Sequence, residues 1–122
     1  MRTRFAIHDT WLLNVLDDVK EEMRELFGDK LKQVILFGSY ARNEYDPDAD
    51  IDIMILVDET DEELRKYRQI IADIMGELYF KYDKLISLTE ESYSHYNRYV
   101  EVLPFFKNVH FEGIEVLNED IF

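Results

Sequence analysis

Two short apolar segments limit most strongly what this chain can fold into: QVILF at residues 33–37 and IDIMILV at residues 51–57. Short runs of branched apolar residues are typical of buried strands. Side chains alternate between the two faces of a strand, and one face of the second segment carries Ile51, Ile53, Ile55 and Val57. The sequence therefore predicts a buried sheet built around these two strands.

Helical periodicity flanks the two strands. Apolar residues at three- and four-residue steps predict a first helix over residues 10–27, with Asp9 or Thr10 as its N-cap. After the second strand, a capping-box pattern at Thr60 opens a second helix that we expect to run through about residue 81. Each of these helices has an apolar side that must pack on the sheet.

The remaining residues predict a third strand and a short tail. The strand is expected at residues 84–88, followed by a helix at about residues 90–99 that Thr89 would cap. Pro104 interrupts the segment that follows, and a short helix and a short strand near residues 113–117 close the chain. This order of elements predicts an α/β or α+β fold, a small mixed β-sheet with helices on one side.

The composition fits one domain over residues 1–122 and excludes several functions. Subtracting 27 acidic from 14 basic residues gives −13, so phosphate backbones and anionic lipids are repelled, and we expect no general nucleic-acid binding and no membrane partner. The absence of cysteine removes disulfides, thiolate zinc sites and cysteine nucleophiles. The amino-terminal residues hold no long apolar run, so we expect no signal peptide or membrane span, and a cytoplasmic protein.

Gly38 and Ser39 directly follow the first buried strand. Glycine lets the backbone turn sharply and approach a ligand closely, and the exposed N–H groups of such a turn form a nest for an anion. The serine hydroxyl adds a further donor. A phosphate is the anion that this arrangement is best suited to bind. The alternative is that the Gly-Ser pair forms an ordinary turn with no ligand.

Asp50 and Asp52 stand at the start of the second strand. Residues two apart on a strand point to the same face, so the two carboxylates are held side by side. Like charges at that distance are unfavourable unless a cation neutralises them, and Mg²⁺ is the hard cation that carboxylates and phosphates share. The alternative is that the aspartates lie at a strand end in solvent.

The two features together form the pattern G-S-x10-D-x-D, which spans Gly38 to Asp52. In this pattern the chain resembles the nucleotidyltransferase superfamily of DNA polymerase beta, and most of all its minimal nucleotidyltransferase branch. The resemblance covers roughly residues 10–117, and its diagnostic part is residues 34–57. It implies the polymerase-beta-like nucleotidyltransferase fold.

The resemblance also implies a reaction. Gly38 and Ser39 would hold the phosphates of ATP, and Asp50 and Asp52 would hold the Mg²⁺ that bridges them while AMP passes to a hydroxyl. Arg42 lies close after the nest and is a candidate for neutralising a phosphate oxygen. An equally open alternative is that Arg42 pairs with one of the many nearby acids.

The chain departs from the superfamily at the third carboxylate, which active members usually carry on a later strand. The middle of the predicted third strand is Ser87, and the nearest acid is Asp83. We therefore name Asp83 as the candidate third metal ligand. If Asp83 does not reach the metal, the domain is expected to bind nucleotide and transfer poorly, or only with help from a partner.

The carboxy-terminal third is rich in aromatic residues, which serve either a small core or an interface. Minimal nucleotidyltransferases commonly pair with a helical HEPN toxin and transfer AMP to a tyrosine of that toxin. The resemblance makes such a toxin the leading candidate partner, with self-association as the alternative. Two functions remain open: an adenylyltransferase with an antitoxin role, and a catalytically weak module that masks a partner by binding it.

Overall fold

The structure, a computed structural model, describes residues 1–118 and builds them around a five-stranded mixed sheet. The strands are β1 (Arg2–Thr3), β2 (Leu31–Phe37), β3 (Ile51–Val57), β4 (Ile86–Ser92) and β5 (Ile114–Asn118). Their order across the sheet is β1-β5-β2-β3-β4. The strand β2 runs antiparallel to β3 and β5, whereas the pairs β3–β4 and β5–β1 are parallel. The mixed sheet expected from the sequence is confirmed.

In the described part of the chain, five α-helices accompany the sheet: α1 (Thr10–Phe27), α2 (Asp61–Arg65), α3 (Arg68–Tyr82), α4 (Tyr93–Tyr99) and α5 (Pro104–Glu112). The predicted bounds of α1 are confirmed. The side chain of Asp9 accepts a hydrogen bond from the backbone N–H of Leu12 at 3.2 Å, so Asp9 rather than Thr10 is the N-cap. Within residues 1–118, no helix combines the length and the apolar character needed to cross a bilayer.

The helix predicted after Thr60 is interrupted. The hydroxyl of Thr60 accepts a hydrogen bond from the N–H of Glu63 at 3.1 Å, as the capping-box pattern predicts. A turn at residues 66–67 then separates α2 from α3. There the ring of Tyr67 packs on Phe27 of α1, with ring centroids 4.7 Å apart. The prediction of one continuous helix was wrong at this turn, which no proline or glycine marks in the sequence.

The strand β4 lies further along the chain than predicted. It continues to Ser92 because its backbone pairs with β3 over the whole length of β3, ending at the pair Val57–Ser92. The hydroxyl of Ser92 accepts a hydrogen bond from the N–H of His95 at 3.3 Å and so caps α4. The prediction that Thr89 is the cap was therefore wrong, because strand pairing overrides the local capping signal.

Helices cover both faces of the sheet. One face packs against α1, α2 and α3, and the opposite face presents Ile35, Met54 and Leu56 to a second cluster. In that cluster Tyr96 of α4 and Phe106 of α5 are buried. The expectation of helices on one side only was wrong. Both faces of β3 are apolar beyond Asp52, and each must be buried by packing against helices.

The aromatic residues of the carboxy-terminal third divide between the core and the surface. Tyr96 and Phe106 are core residues. Phe80 and Phe111, in contrast, are 92% and 91% exposed. The core role is therefore confirmed for Tyr96 and Phe106, and an interface role for the exposed aromatic residues stays a prediction.

Candidate active site

The strand β2 ends in a tight turn that begins at Gly38. Gly38 has a φ of +75°, in the region that glycine adopts without strain. Its carbonyl oxygen accepts hydrogen bonds from the N–H groups of Ala41 at 3.1 Å and Arg42 at 3.2 Å. Residues 39–43 are consecutive turns rather than the start of a helix, so an anion here would meet backbone N–H groups without a helix dipole.

Gly38 lies directly against Asp52. A Cβ atom on Gly38 would stand 2.5 Å from Oδ2 of Asp52, closer than any real side chain tolerates. The contact follows from strand pairing, because Asp52 of β3 is the partner of Phe37, the residue before Gly38. Two features that lie 14 positions apart in the sequence are thus in contact, as expected for adjacent strands, and their role as a binding site stays a prediction.

Asp50 and Asp52 form an acidic pair at the start of β3. Asp50 is exposed just before β3, whereas Asp52 is half-buried. Burial raises the pKa of Asp52, and the charges of Asp50 and Glu112 raise it further, while Arg42 lowers it. Two carboxylates with one nearby counter-charge suit a hard divalent cation that also binds phosphate oxygens. The donor set therefore fits Mg²⁺.

Lys84 fixes the loop that leads into Asp50, a contact that the sequence analysis missed. Its ammonium group donates hydrogen bonds to the carbonyl oxygens of Pro47 at 2.5 Å and Ala49 at 3.0 Å. The N–H of Ile51 also bonds the carbonyl oxygen of Leu85 at 3.0 Å. The approach to β3 is therefore anchored on the chain that enters β4, and this limits the movement of Asp50.

Arg42 reaches the site but is already paired. Its Nη1 atom donates to Oε2 of Glu112 at 2.9 Å, and its Nε atom lies 3.5 Å from Oε2 of Glu44. The hydrogen bond to Glu112 and that residue's charge raise the pKa of Arg42. Oε1 of Glu112 also accepts a hydrogen bond from the N–H of Gly38 at 3.1 Å. No local pattern pointed to Glu112, because it lies 70 residues from Arg42.

Ser87 occupies the position beside Asp52 on the next strand. In the parallel pairing of β3 with β4, Asp52 is the partner of Ser87, and both alternate with residues of the first core. Asp83 is the C-cap of α3, in the left-handed region at φ 52°. No three His, Cys, Asp or Glu side chains within residues 1–118 form a group that could hold a metal. The role of Asp83 as a ligand stays a prediction.

Two tyrosines on the turn are paired with each other. The rings of Tyr40 and Tyr45 stack with their centroids 3.9 Å apart and their planes at 9°. Tyr40 is buried in the first core, and Tyr45 is 38% exposed. Ser39 between Gly38 and Tyr40 is partly accessible. The stack packs one side of the turn into the first core, while Gly38 lies against Asp52.

A mixed sheet with a Gly-Ser turn against an Asp-x-Asp strand defines the class of nucleotidyltransferases. The family model for the nucleotidyltransferase domain matches residues 16–118, and the chain belongs to this family. The resemblance inferred from Gly38–Asp52 is thereby confirmed, as is the class of enzyme.

Two relatives come from Methanocaldococcus jannaschii. The chain is 41% identical to Putative protein adenylyltransferase MJ0141 over 76 residues, which are 62% of this chain and 75% of that protein. It is 32% identical to the similarly named MJ0604 over 91 residues, which are 75% and 83% of the two chains.

A solved structure shows the same fold. A crystal structure of a toxin–antitoxin with AMP-PNP aligns with a TM-score of 0.58 and 18% identity, covering 86% of this chain and 74% of that one. At this identity the likeness is one of fold. A looser alignment, with a TM-score of 0.49, is to a Shewanella oneidensis complex of MNT antitoxin with tri-AMPylated HEPN toxin.

Proposed function

We propose that this chain is a magnesium-dependent adenylyltransferase that moves AMP from ATP to a tyrosine hydroxyl of a partner, a HEPN-type helical toxin. The contact between Gly38 and Asp52 carries the proposal, because it brings an anion nest and a metal-binding carboxylate together. The names of the Methanocaldococcus jannaschii relatives support adenylyl transfer to protein. The toxin–antitoxin neighbour with AMP-PNP supports an antitoxin role.

In this proposal each residue has a defined task. The N–H groups at Gly38 and Ser39 bind the phosphates, and Arg42 neutralises a phosphate oxygen. Asp50 and Asp52 hold Mg²⁺, which when bound stabilises negative charge on the phosphate oxygens. Lys84 keeps Asp50 in place through the loop carbonyls.

The transfer itself exchanges one bond at phosphorus for another. The acceptor oxygen forms a bond to the α-phosphorus, and the bond from that phosphorus to the bridging oxygen of the β-phosphate breaks. Pyrophosphate leaves with the electron pair, and the hydroxyl proton passes to water. The product is a phosphodiester between AMP and the acceptor.

A second candidate function is a module that masks its partner by binding, with little transfer. The pairing of Ser87 with Asp52 favours it, because the β4 residue beside Asp52 carries no carboxylate. A missing third carboxylate removes one ligand for a second metal ion and one group that would activate the acceptor. This candidate predicts a complex that needs neither ATP nor the two aspartates.

The test is a transfer assay with ATP labelled on its α-phosphate, Mg²⁺ and lysate from the protein's own source. The wild type is compared with Asp50→Asn and Asp52→Asn, and with Asp48→Asn, an exposed loop acid, as the matched control. We expect a labelled protein band with the wild type and Asp48→Asn and none with the other two variants. Equal labelling by all four proteins would contradict the assignment. A stable complex without labelling would favour the masking module.

A further inference from the structure

Two of the three groups proposed to bind phosphate, the N–H of Gly38 and the guanidinium of Arg42, already contact one side chain of the same molecule. Glu112, the last residue of α5, accepts a hydrogen bond from the N–H of Gly38 through Oε1, at 3.1 Å. Its Oε2 accepts another from Nη1 of Arg42, at 2.9 Å. One carboxylate thus bridges the backbone donor of the turn and the nearest guanidinium.

A carboxylate in this place imitates a phosphate. It presents two oxygens and a negative charge to a backbone N–H and an arginine, the donors that recognise phosphate elsewhere in proteins. Both of its oxygens are used, so a nucleotide phosphate cannot take the N–H of Gly38 while Glu112 stays, and it meets an Arg42 whose charge is already paired. The carboxylate would also repel the incoming phosphates, and its charge already acts on Asp52.

The backbone that carries Glu112 is fixed from both sides. Arg2 donates from Nη2 to the carbonyl oxygen of Glu112 at 3.0 Å and to that of Ala41 at 2.5 Å. A Cβ on Gly113 would stand 2.6 Å from Cγ2 of Ile35, so only glycine lets the end of α5 come this close to β2. Rotation of the Glu112 side chain is therefore the simplest way to open the nest.

We propose that Glu112 competes with the phosphates of ATP for the Gly38 N–H and for Arg42, and thereby sets the affinity of the site for nucleotide. This inference rests on the proposed function, since it assumes that ATP binds at the turn. The bound metal offsets part of the repulsion from the acidic surroundings, so the competing form of the substrate is MgATP. Glu112→Ala frees both donors, whereas Glu112→Gln removes the charge and leaves one oxygen that can still accept from only one of them at a time.

The test measures the Kd of MgATP by calorimetry for the wild type, Glu112→Gln and Glu112→Ala. Glu44→Gln is the matched control, because Glu44 also pairs with Arg42 but lies in the exposed part of the turn and accepts no hydrogen bond from Gly38. We expect both Glu112 variants to bind about tenfold more tightly than the wild type. Glu44→Gln should stay within about twofold of the wild type.

Unchanged or weaker binding by the Glu112 variants, with measurable binding by the wild type, would overturn the competition and leave the proposed function standing. No binding by any of the proteins would overturn both. An NMR titration of the wild type with MgATP does not depend on how the variants fold.

The amide resonance of Gly38 should shift in proportion to the bound fraction, because MgATP takes the place of the Glu112 carboxylate on that N–H. A resonance that stays fixed while MgATP binds would overturn the inference.

Discussion

At the scale of single residues, Gly38 is the position where the smallest change should have the largest effect. It combines a φ of +75° with a Cβ position 2.5 Å from Oδ2 of Asp52. We expect Gly38→Ala to lower the free energy of unfolding by about 2 kcal/mol or more, because it adds backbone strain and a clash with the carboxylate. Chemical denaturation measures this directly, and binding of MgATP should be lost with it.

Two other glycines serve as matched controls for Gly38. Gly28 has a φ of +56° but open space around its Cβ position, so Gly28→Ala adds strain without a clash. Gly28→Ala should lower the free energy of unfolding by about 1 kcal/mol and leave MgATP binding intact. Gly76 lies inside α3 with open space, and Gly76→Ala should stabilise the protein by about 0.5–1 kcal/mol. Equal losses for Gly28→Ala and Gly38→Ala would contradict the clash with Asp52.

At the scale of elements, the pairing of β3 with β4 decides which residue stands beside Asp52. That residue is Ser87, and Ser87→Asp would place a carboxylate next to Asp52 on the same sheet. Without metal we expect this change to destabilise the protein by about 1 kcal/mol, because like charges directly opposite repel. With Mg²⁺ we expect the loss to disappear and the rate of transfer to rise about tenfold or more.

Thermal melts with and without Mg²⁺ and the labelled-ATP assay measure the two effects of Ser87→Asp. Ser87→Asn, which is polar and of the same size as aspartate, is the control and should change neither. A Ser87→Asp variant that gains no Mg²⁺-dependent stability would contradict the placement of Ser87 beside the metal site.

The polar contact between α1 and α3, formed by Asp18 with Lys81 and Tyr82, makes the stability of the protein depend on pH. Asp18 of α1 accepts hydrogen bonds from Lys81 at 2.7 Å and from the hydroxyl of Tyr82, and these contacts lower its pKa. A carboxyl whose pKa is lower in the folded state stabilises the protein above its ordinary pKa, and that contribution is lost as the pH falls through the folded value. Asp18→Asn should therefore be less stable than the wild type at pH 7 by about 0.5–1 kcal/mol.

Urea denaturation from pH 7 down to the acid limit of the fold tests this dependence. The difference between Asp18→Asn and the wild type should begin to shrink as the pH falls below the ordinary aspartate pKa of about 3.9, and should disappear as the pH falls through the lowered pKa of folded Asp18. Glu21→Gln, an exposed acid on the same helix, is the control and should follow the wild type throughout. A difference that stays constant with pH would show that the charge of Asp18 is not what joins the helices.

The elements that the sequence predicted well are those with a strong local period. The helix α1 and the strand β3 have the predicted bounds because apolar spacing and caps mark them. The strand β4 was displaced because its polar second half, TEES, is a strand only through pairing with β3. The break at Tyr67 also follows from a contact between helices and leaves no local mark.

At the scale of the whole molecule, the site joins segments from the middle and the end of the chain. The spacing of Gly38, Asp50 and Asp52 sufficed to predict the turn and the carboxylates, because strands joined by one loop pair as neighbours. Glu112 and Lys84 were missed because they lie just before β5 and β4 in the chain. Only the fold brings those two strands beside β2 and β3. Their contacts decide how open and how rigid the site is.

The net charge of −13 acts on the whole molecule and on its substrate. An ATP molecule without metal would meet repulsion from most of the surface, since Arg42 is paired and acids surround the turn. We therefore expect nucleotide binding to require a divalent cation. Titration of ATP in the presence of a chelator should give no measurable heat, whereas MgATP should bind, and equal binding in both conditions would contradict a metal-dependent site.

One structure would test the central claim most directly: the protein crystallised with Mg²⁺ and an ATP analogue that cannot be cleaved at its α-phosphate. The account predicts phosphates on the N–H groups of Gly38 and Ser39, the metal on Asp50 and Asp52, and the Glu112 carboxylate turned away from Arg42. A nucleotide bound elsewhere, with Glu112 still bridging Gly38 and Arg42, would contradict it.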